Sequence, residues 1–583
     1  MRWPQGRLAI IVMLLASVLV TAGCGSVPTS GPIEVVEEQQ ARGCPSCVNV
    51  EVLPPDPGDK PRQIVEGFLR ATSYYQPNYT VAKEFLTPMA AEKWSPDAGV
   101  KIYRATVKSA GTNTVNLNGT QVGSMGRDRT YTVNNVHMNY DFVLSDENGQ
   151  WRIDNPPPGL WVSEVSFKFF YQSYDLYFVG NNRSLVPDPI YLPALSNPAN
   201  VASALIKALL NGPSKWLKPA VLTTPPPNTS LSVDSVTITD GIAEVPLGDS
   251  ILALPDAQRG LLAAQIAFTL KQVAGVKGVA IKVNQQPYRV PGADPNSQVI
   301  SVDAIPRELD PIPSVAGEQA YAVNKKGAVE QVTPSADSPT SNPVPGPLRQ
   351  TPYPIDAVAV SVTNTDLAVT TNRRTTLRRA AMMPGGSATN LLTGATELLR
   401  PQFSRYGEIW EVGKQGGQQR MWMFTPDNAK REITLPAQNI TAFRISPDGS
   451  RMALVRRTAN GSELGLARII RSNKPRVETW RRLDTSQSGT PISDIADVAW
   501  FDPTELLVLG KTGGNSTLFR VTQDASLVTQ KGEAQDFDPK ELAVSPQTQS
   551  VIMVGRQGGT WKDDGTRWQP FLDHTISAIA YPG

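Results

Sequence analysis

Histidine is nearly absent from this chain, with two, His137 and His574, among 583 residues. A Ser-His-Asp triad or an H-E-x-x-H zinc site needs one of them beside its partners, and neither that run nor a G-x-S-x-G elbow occurs. Both histidines read as structural or surface residues, and no catalytic residue or metal site is expected. Cysteine is almost as scarce, at three. With no histidine near them, a four-ligand zinc site is excluded. Charged residues make up 19% and balance to a net +2, so no basic face able to hold a phosphate backbone is implied, and nucleic acid is not an expected partner. Long apolar runs are missing too: beyond residue 20 none approaches the roughly 20 residues that cross a bilayer. What abounds is proline and glycine, 50 and 45, the composition of a turn-rich chain of several domains with few long helices.

The opening segment carries an address. Arg2 and Arg7 lead into apolar residues 8–20, which end at Thr21-Ala22-Gly23-Cys24, the layout of a secretory signal with a lipid-attachment site. Residues 1–23 are therefore expected to be removed and Cys24 to carry an S-diacylglycerol and an N-acyl chain of the palmitate type. At about 0.8 kcal/mol per buried CH2, several chains hold a soluble body firmly. The expected location is the cell membrane, lipid-anchored on its extracytoplasmic face, where NAD and ATP are not supplied and no cofactor is expected. An ordinary cleaved leader with Cys24 incidental is the weaker reading, because Gly23 and Gly25-Ser26 flank the cysteine. Cys44-Pro45-Ser46-Cys47 lies in a proline-rich extended stretch, which lacks the helix start that a low-pKa redox thiolate uses. A small structural disulfide, Cys44 to Cys47, is the favoured reading over a redox pair.

Residues 24–60 read as a flexible tether. An N-terminal α+β domain over 61–195 follows, with Ile64, Val65, Phe68, Leu69 and Thr72 at helical spacing and alternating strands around 100–107, 130–143 and 151–153. A cone-like, NTF2-type shape is expected. Residues 161–179 are dense in aromatics, including Trp161, Phe167, Phe169, Phe170, Tyr171, Tyr174, Tyr177 and Phe178; burial between domains is favoured over a glycan platform. A second α+β unit spans 196–300: a helix through Val201, Leu205, Ile206 and Leu209 stopped at Asn211-Gly212-Pro213, a hairpin at Asp240-Gly241, and a helix through Leu262, Ile266 and Leu270. Leu-Leu-Asn-Gly-Pro from 209, Asp-Gly-Ile-Ala-Glu-Val from 240 and Ala-Phe-Thr-Leu from 267 resemble a GerMN domain, which implies binding or assembly at an envelope.

After a linker at 301–316, residues 317–583 repeat. Ile445-Ser446-Pro447-Asp448-Gly449 precedes an apolar run, Val544-Ser545-Pro546 does the same, and looser copies sit at Trp500-Phe501-Asp502-Pro503 and Pro401-Gln402-Phe403-Ser404. The spacing suits a β-propeller of about five or six blades, with residues 321–332 and 576–581 sharing the blade that closes the ring. Gly-basic-x-Gly-Gly recurs at Gly413, Gly510 and Gly555. Gly510-Lys511-Thr512 resembles the tail of a phosphate loop, but Glu505 stands where that loop requires glycine. The recurrence marks a hairpin turn, placing Lys414, Lys511 and Arg556 around one rim as candidate partner-binding residues for an acidic partner, with solvated turn charges as the default reading.

The order of lipobox, Cys-Pro-x-Cys, two α+β units and a propeller, with Gly23-Cys24-Gly25-Ser26-Val27-Pro28 and Ile64-Val65-Glu66-Gly67-Phe68-Leu69, resembles the LpqB lipoprotein family of actinobacteria over essentially the full chain. The resemblance implies Cys24 as the lipidated residue, no catalytic residue, and contact with the extracellular part of a sensor kinase of the Mtr two-component system, tuning envelope homeostasis. The alternative reading is a lipoprotein that binds cell-wall glycan or peptidoglycan. A propeller hydrolase ranks third and would need carboxylates meeting in one funnel.

Overall fold

The computed structural model describes residues 52–583 except 182, 335–337, 352, 487–491, 534–537 and 566. Residues 1–23, Cys24, Cys44 and Cys47 lie outside the described residues.

The first domain starts with the helix Pro61–Ser73, whose leading proline lacks only an N–H that would be unpaired there anyway. Its buried face is Ile64, Val65, Phe68, Leu69 and Thr72, as the spacing predicts. Phe68 meets the edges of Trp94 and Phe142 at 5.6 and 6.4 Å. Beneath it lies a five-stranded sheet in the order Gln150–Ile153, Tyr131–Glu147, Thr114–Met125, Val100–Ser109 and Leu160–Ser163. Pairing is antiparallel except at the last strand, which runs parallel to Val100–Ser109. Irregular pairing at Ile102/Tyr103 and Gln121/Gly123 bends the long strands, as bulges do.

The hairpin Tyr171–Gly180 with Leu185–Pro193 was expected in this first domain, and its packing differs. Tyr174, Leu176, Phe178, Val186, Ile190 and Leu192 enter one core with the helices Pro198–Leu210 and Asp256–Leu270. Only Tyr171 and Tyr191, at the open end, reach back into the first core. The division therefore falls near the helix Glu164–Phe170 and not at 195. Alternation reveals that a strand has an apolar face, but not which neighbour covers it. Within the second domain, Ile242–Leu247 and Gly278–Val283 pair in parallel, joined through the helix Asp256–Leu270, the crossover that parallel pairing demands. Asp240 and Gly241 both take positive φ, 52° and 81°, in the tight turn their sequence predicts.

Among the described residues, the third region contains six four-stranded antiparallel sheets. Their innermost strands are, in ring order, Ile576–Ala580, Ile355–Val360, Gln402–Phe403, Ile440–Ile445, Ser493–Trp500 and Pro539–Ser545, counted below as blades one to six. Blade one is shared by the chain's two ends: Ile576–Ala580 pairs antiparallel with Ala320–Asn324. His574 sits at this closure, its ring nitrogens 2.8 Å from Asp573 and 3.2 Å from Glu330. His137 is exposed, facing Thr120 across the first sheet. Between blades, apolar faces interlock, as where Val455, Val498, Trp500, Phe519 and Val521 meet.

Candidate functional site

A propeller has two faces. One carries the turns from first to second strand of each blade, the other the turns from second to third, and the two differ here in what covers them.

The first face is occupied by the chain itself. Arg405 donates to the carbonyls of Asp310 and Pro311 at 2.7 and 3.1 Å, Gln547 accepts from the Val315 N–H at 2.8 Å, and Asn364 donates to the Ala316 carbonyl at 3.1 Å. These residues belong to blades three, six and two, so the linker lies as a strap across the axis. A cavity of about 70 Å³ remains beneath Ile312, Pro313 and Val315. The second domain docks beside the strap. Arg451, 1% exposed, ion-pairs with the fully buried Asp448 and donates to the carbonyls of Pro187 and Pro503 at 3.0 and 2.9 Å. Arg468 donates to the Trp216 carbonyl at 2.6 Å, and the Arg481 guanidinium lies 4.4 Å from the Trp216 ring. Gly449 holds the tight turn that Asp448 begins: its φ is +78°, and a Cβ there would come 2.8 Å from the Tyr406 ring.

Where the three domains meet, a polar cavity of about 250 Å³ is lined by Tyr131, Asp188, Trp216, Arg451, Arg481 and Asp524, among others. Asp188 accepts from the Ser214 N–H at 2.6 Å and its hydroxyl at 3.0 Å. Burial nevertheless outweighs these bonds and pushes its carboxyl up to about 6.

The opposite face bears the Gly-basic-x-Gly-Gly hairpins. Gly416 and Gly417, and likewise Gly513 and Gly514, take positive φ in two-residue turns between the second and third strands of blades three and five. Lys414 and Lys511 stand at equivalent ladder positions, opposite Gln419 and Ser516. The third copy opens into a wider loop, in which Gly555 N–H donates to the Gly559 carbonyl at 2.9 Å. All three basic residues thus share one face. Lys414 meets Glu397 and Arg556 meets Asp538, each at 2.8 Å in exposed pairs; no ion pair forms at Lys511 among the described residues. Gly510-Lys511-Thr512 ends a strand and enters a turn, with no helix to receive a phosphate.

At the axis below these hairpins lies a charged cluster that sequence reasoning missed. Arg444 reaches both Asp497 oxygens, at 2.6 and 2.8 Å, and Asp497 also accepts the N–H groups of Val498 and Leu542 at 2.9 Å. Arg400 lies 3.1 Å from Glu541 and donates to the carbonyls of Leu542 and Ile579 at 2.7 and 2.9 Å. Burial draws the Arg444 guanidinium down to about 10, against the pull of Asp497, so it stays charged at neutral pH. Two carboxylates do meet in the funnel, each taken up by an arginine. A signal was present: Arg400, Asp497 and Glu541 each stand four residues before the residue that opens the inner turn, Ser404, Phe501 and Ser545.

The aromatic segment lies mostly inside. Trp161 is 3% exposed and its ring sits 5.0 Å from Tyr140; Phe167, Tyr171, Tyr174 and Phe178 are buried, while Phe169 is exposed. Trp161 therefore cannot serve as the surface platform that the glycan reading assigned to it.

Comparison with known proteins agrees with this layout. Residues 54–168 match the family model "Lipoprotein LpqB, N-terminal domain", residues 175–289 match "Sporulation and spore germination", and residues 330–580 match "Lipoprotein LpqB beta-propeller domain". The chain belongs to the LpqB lipoprotein family. Proteins named lipoprotein LpqB from Cutibacterium acnes and Streptomyces avermitilis are 28% and 25% identical to it, over 98% and 97% of both chains. A third, from Thermobifida fusca, is 23% identical over 99% of both. These LpqB relatives are named as lipoproteins and not as enzymes, and the name implies a chain held at a membrane by lipid. No helix among the described residues is long and apolar enough to cross one.

Proposed function

We propose that this LpqB-family chain is an extracytoplasmic accessory protein, anchored through Cys24, that contacts the extracellular domain of an Mtr-type sensor kinase and tunes its output in envelope homeostasis. One observation carries the choice of surface. The strap of residues 310–316 and the second domain cover one propeller face, leaving the face of Lys414, Lys511 and Arg556 for another molecule. That face presents two basic side chains on short hairpins and a third on a wider loop, and it suits an acidic protein surface. The exposed pairs Lys414–Glu397 and Arg556–Asp538 cost little to exchange, since such pairs contribute about 0–1 kcal/mol. Anchoring confines both proteins to one membrane, where a weak contact gains effective concentration.

The test is capture of the kinase with the full-length lipoprotein from membranes, read together with regulator phosphorylation. Replacing Lys414, Lys511 and Arg556 together by glutamate is expected to abolish capture and to reproduce the phosphorylation change seen on deleting the lipoprotein. If deletion leaves regulator phosphorylation unaltered, the reading fails.

A further inference from the structure

The end of the propeller channel opposite the strap opens into a cavity of about 160 Å³ lined by four basic side chains, Arg374, Arg400, Arg444 and Lys540, against two acidic ones, Asp497 and Glu541. Both carboxylates are already engaged by Arg444 and Arg400. The remaining two cations are not neutralised. Arg374 donates to the Leu398 carbonyl at 3.1 Å, Lys540 donates to the Ser577 carbonyl at 3.1 Å, and neither forms an ion pair among the described residues. Glu411, whose carboxyl feels the charge of Arg374, is fully buried; one of its oxygens accepts the Val412 N–H at 3.0 Å and the other has no hydrogen-bond partner among the described residues. Burial holds that carboxyl well above the ordinary range, which weakens it as a counter-ion for Arg374.

We propose that this mouth is a binding site for a small oxyanion, a carboxylate or a phosphate, gripped by Arg374 and Lys540. Its geometry favours a prepared site over an incidental depression. Arg374 is the last of three consecutive residues, Asn372, Arg373 and Arg374, with φ of 58°, 58° and 61°. Left-handed φ is unfavourable for an ordinary side chain, and such strain gathers where a clamp is held in place. The strain is pinned by Asp356, which accepts the Arg374 N–H at 2.8 Å. Lys540 keeps two of its three ammonium protons for a ligand. The cavity is smaller than the roughly 300 Å³ at which drug-sized pockets begin, which restricts the occupant to a few heavy atoms. The site stands on this cavity and its charges, and is independent of the kinase contact.

Calorimetry on the full-length lipoprotein at low salt, with succinate in one arm and inorganic phosphate in the other, tests it. Saturable binding of at least one probe, with Kd below about 1 mM, is expected, and which probe binds identifies the class. Lys540→Met and Arg374→Gln should each weaken that binding at least about tenfold, and Lys540→Arg should retain it, as a charge-assisted contact requires. Absence of saturation by both probes, or binding that Lys540→Met and Arg374→Gln leave unchanged while both variants melt as the parent does, overturns the proposal.

Discussion

Arg451 and Lys511 stand on opposite faces of the same propeller, and their surroundings differ in kind. Arg451 is enclosed by Asp448, Gln523 and two carbonyls, one of them from the second domain; Lys511 stands beside a glycine turn on the opposite face, with no ion pair among the described residues. The repeat that builds both faces is indifferent to this. What makes one cation structural and the other available is the strap and the domain laid over one face alone. A buried cation fixes domain geometry because removing it strands its partner; a half-exposed one such as Lys511 contributes less to folding and keeps its charge where another molecule could meet it.

The largest effect should come from the buried side of this contrast. Arg451→Ala leaves Asp448 charged and unpaired in the interior, and urea denaturation should show a loss of about 3–5 kcal/mol. Next comes Asp188, whose carboxyl titrates at about 6 in the folded chain against 3.8 otherwise. A carboxyl raised by burial binds its proton more tightly when folded, so its contribution to stability falls as pH rises from about 4 to about 6 and is constant above. Asp188→Asn should remove that slope, making the difference between variant and parent grow by roughly 2–3 kcal/mol across the window. A difference profile without slope there would contradict the burial argument. Trp216→Ala, which deletes the ring under Arg481, should cost about 1–2 kcal/mol by losing a cation–π contact and half-buried apolar area. At the small end, Lys414→Gln, Lys511→Gln and Arg556→Gln should each shift stability by less than about 0.5 kcal/mol. A larger shift from any of these would show that the face is not free.

Much of the architecture was legible because it rests on local chemistry. The helix through Ile64, Val65, Phe68 and Leu69, the turn at Asp240-Gly241 and the repeated Ser-Pro and Gly-Gly turns each follow from spacing or from the turn preferences of proline and glycine. The hairpin of Tyr171–Gly180 and Leu185–Pro193 was placed in the wrong domain because its apolar faces fit either core. The ion cluster of Arg400, Arg444, Asp497 and Glu541 was hidden for a related reason: residues 97 to 141 positions apart, from Arg400 to Asp497 and Glu541, become neighbours only when the ring closes. Lys414, Lys511 and Arg556 could be placed on one rim from the repeat, whereas the reason that rim is open, a strap over the other side, lies in long-range hydrogen bonds from Arg405, Gln547 and Asn364.

On this proposal the face of Lys414, Lys511 and Arg556, and not the strapped one, meets the kinase. A photo-cross-linking side chain introduced singly at positions 414, 511, 364 and 547 of the full-length lipoprotein in living cells tests it directly. Adducts with the kinase from 414 and 511, and none from 364 or 547, are the predicted result; adducts confined to 364 and 547 would contradict it.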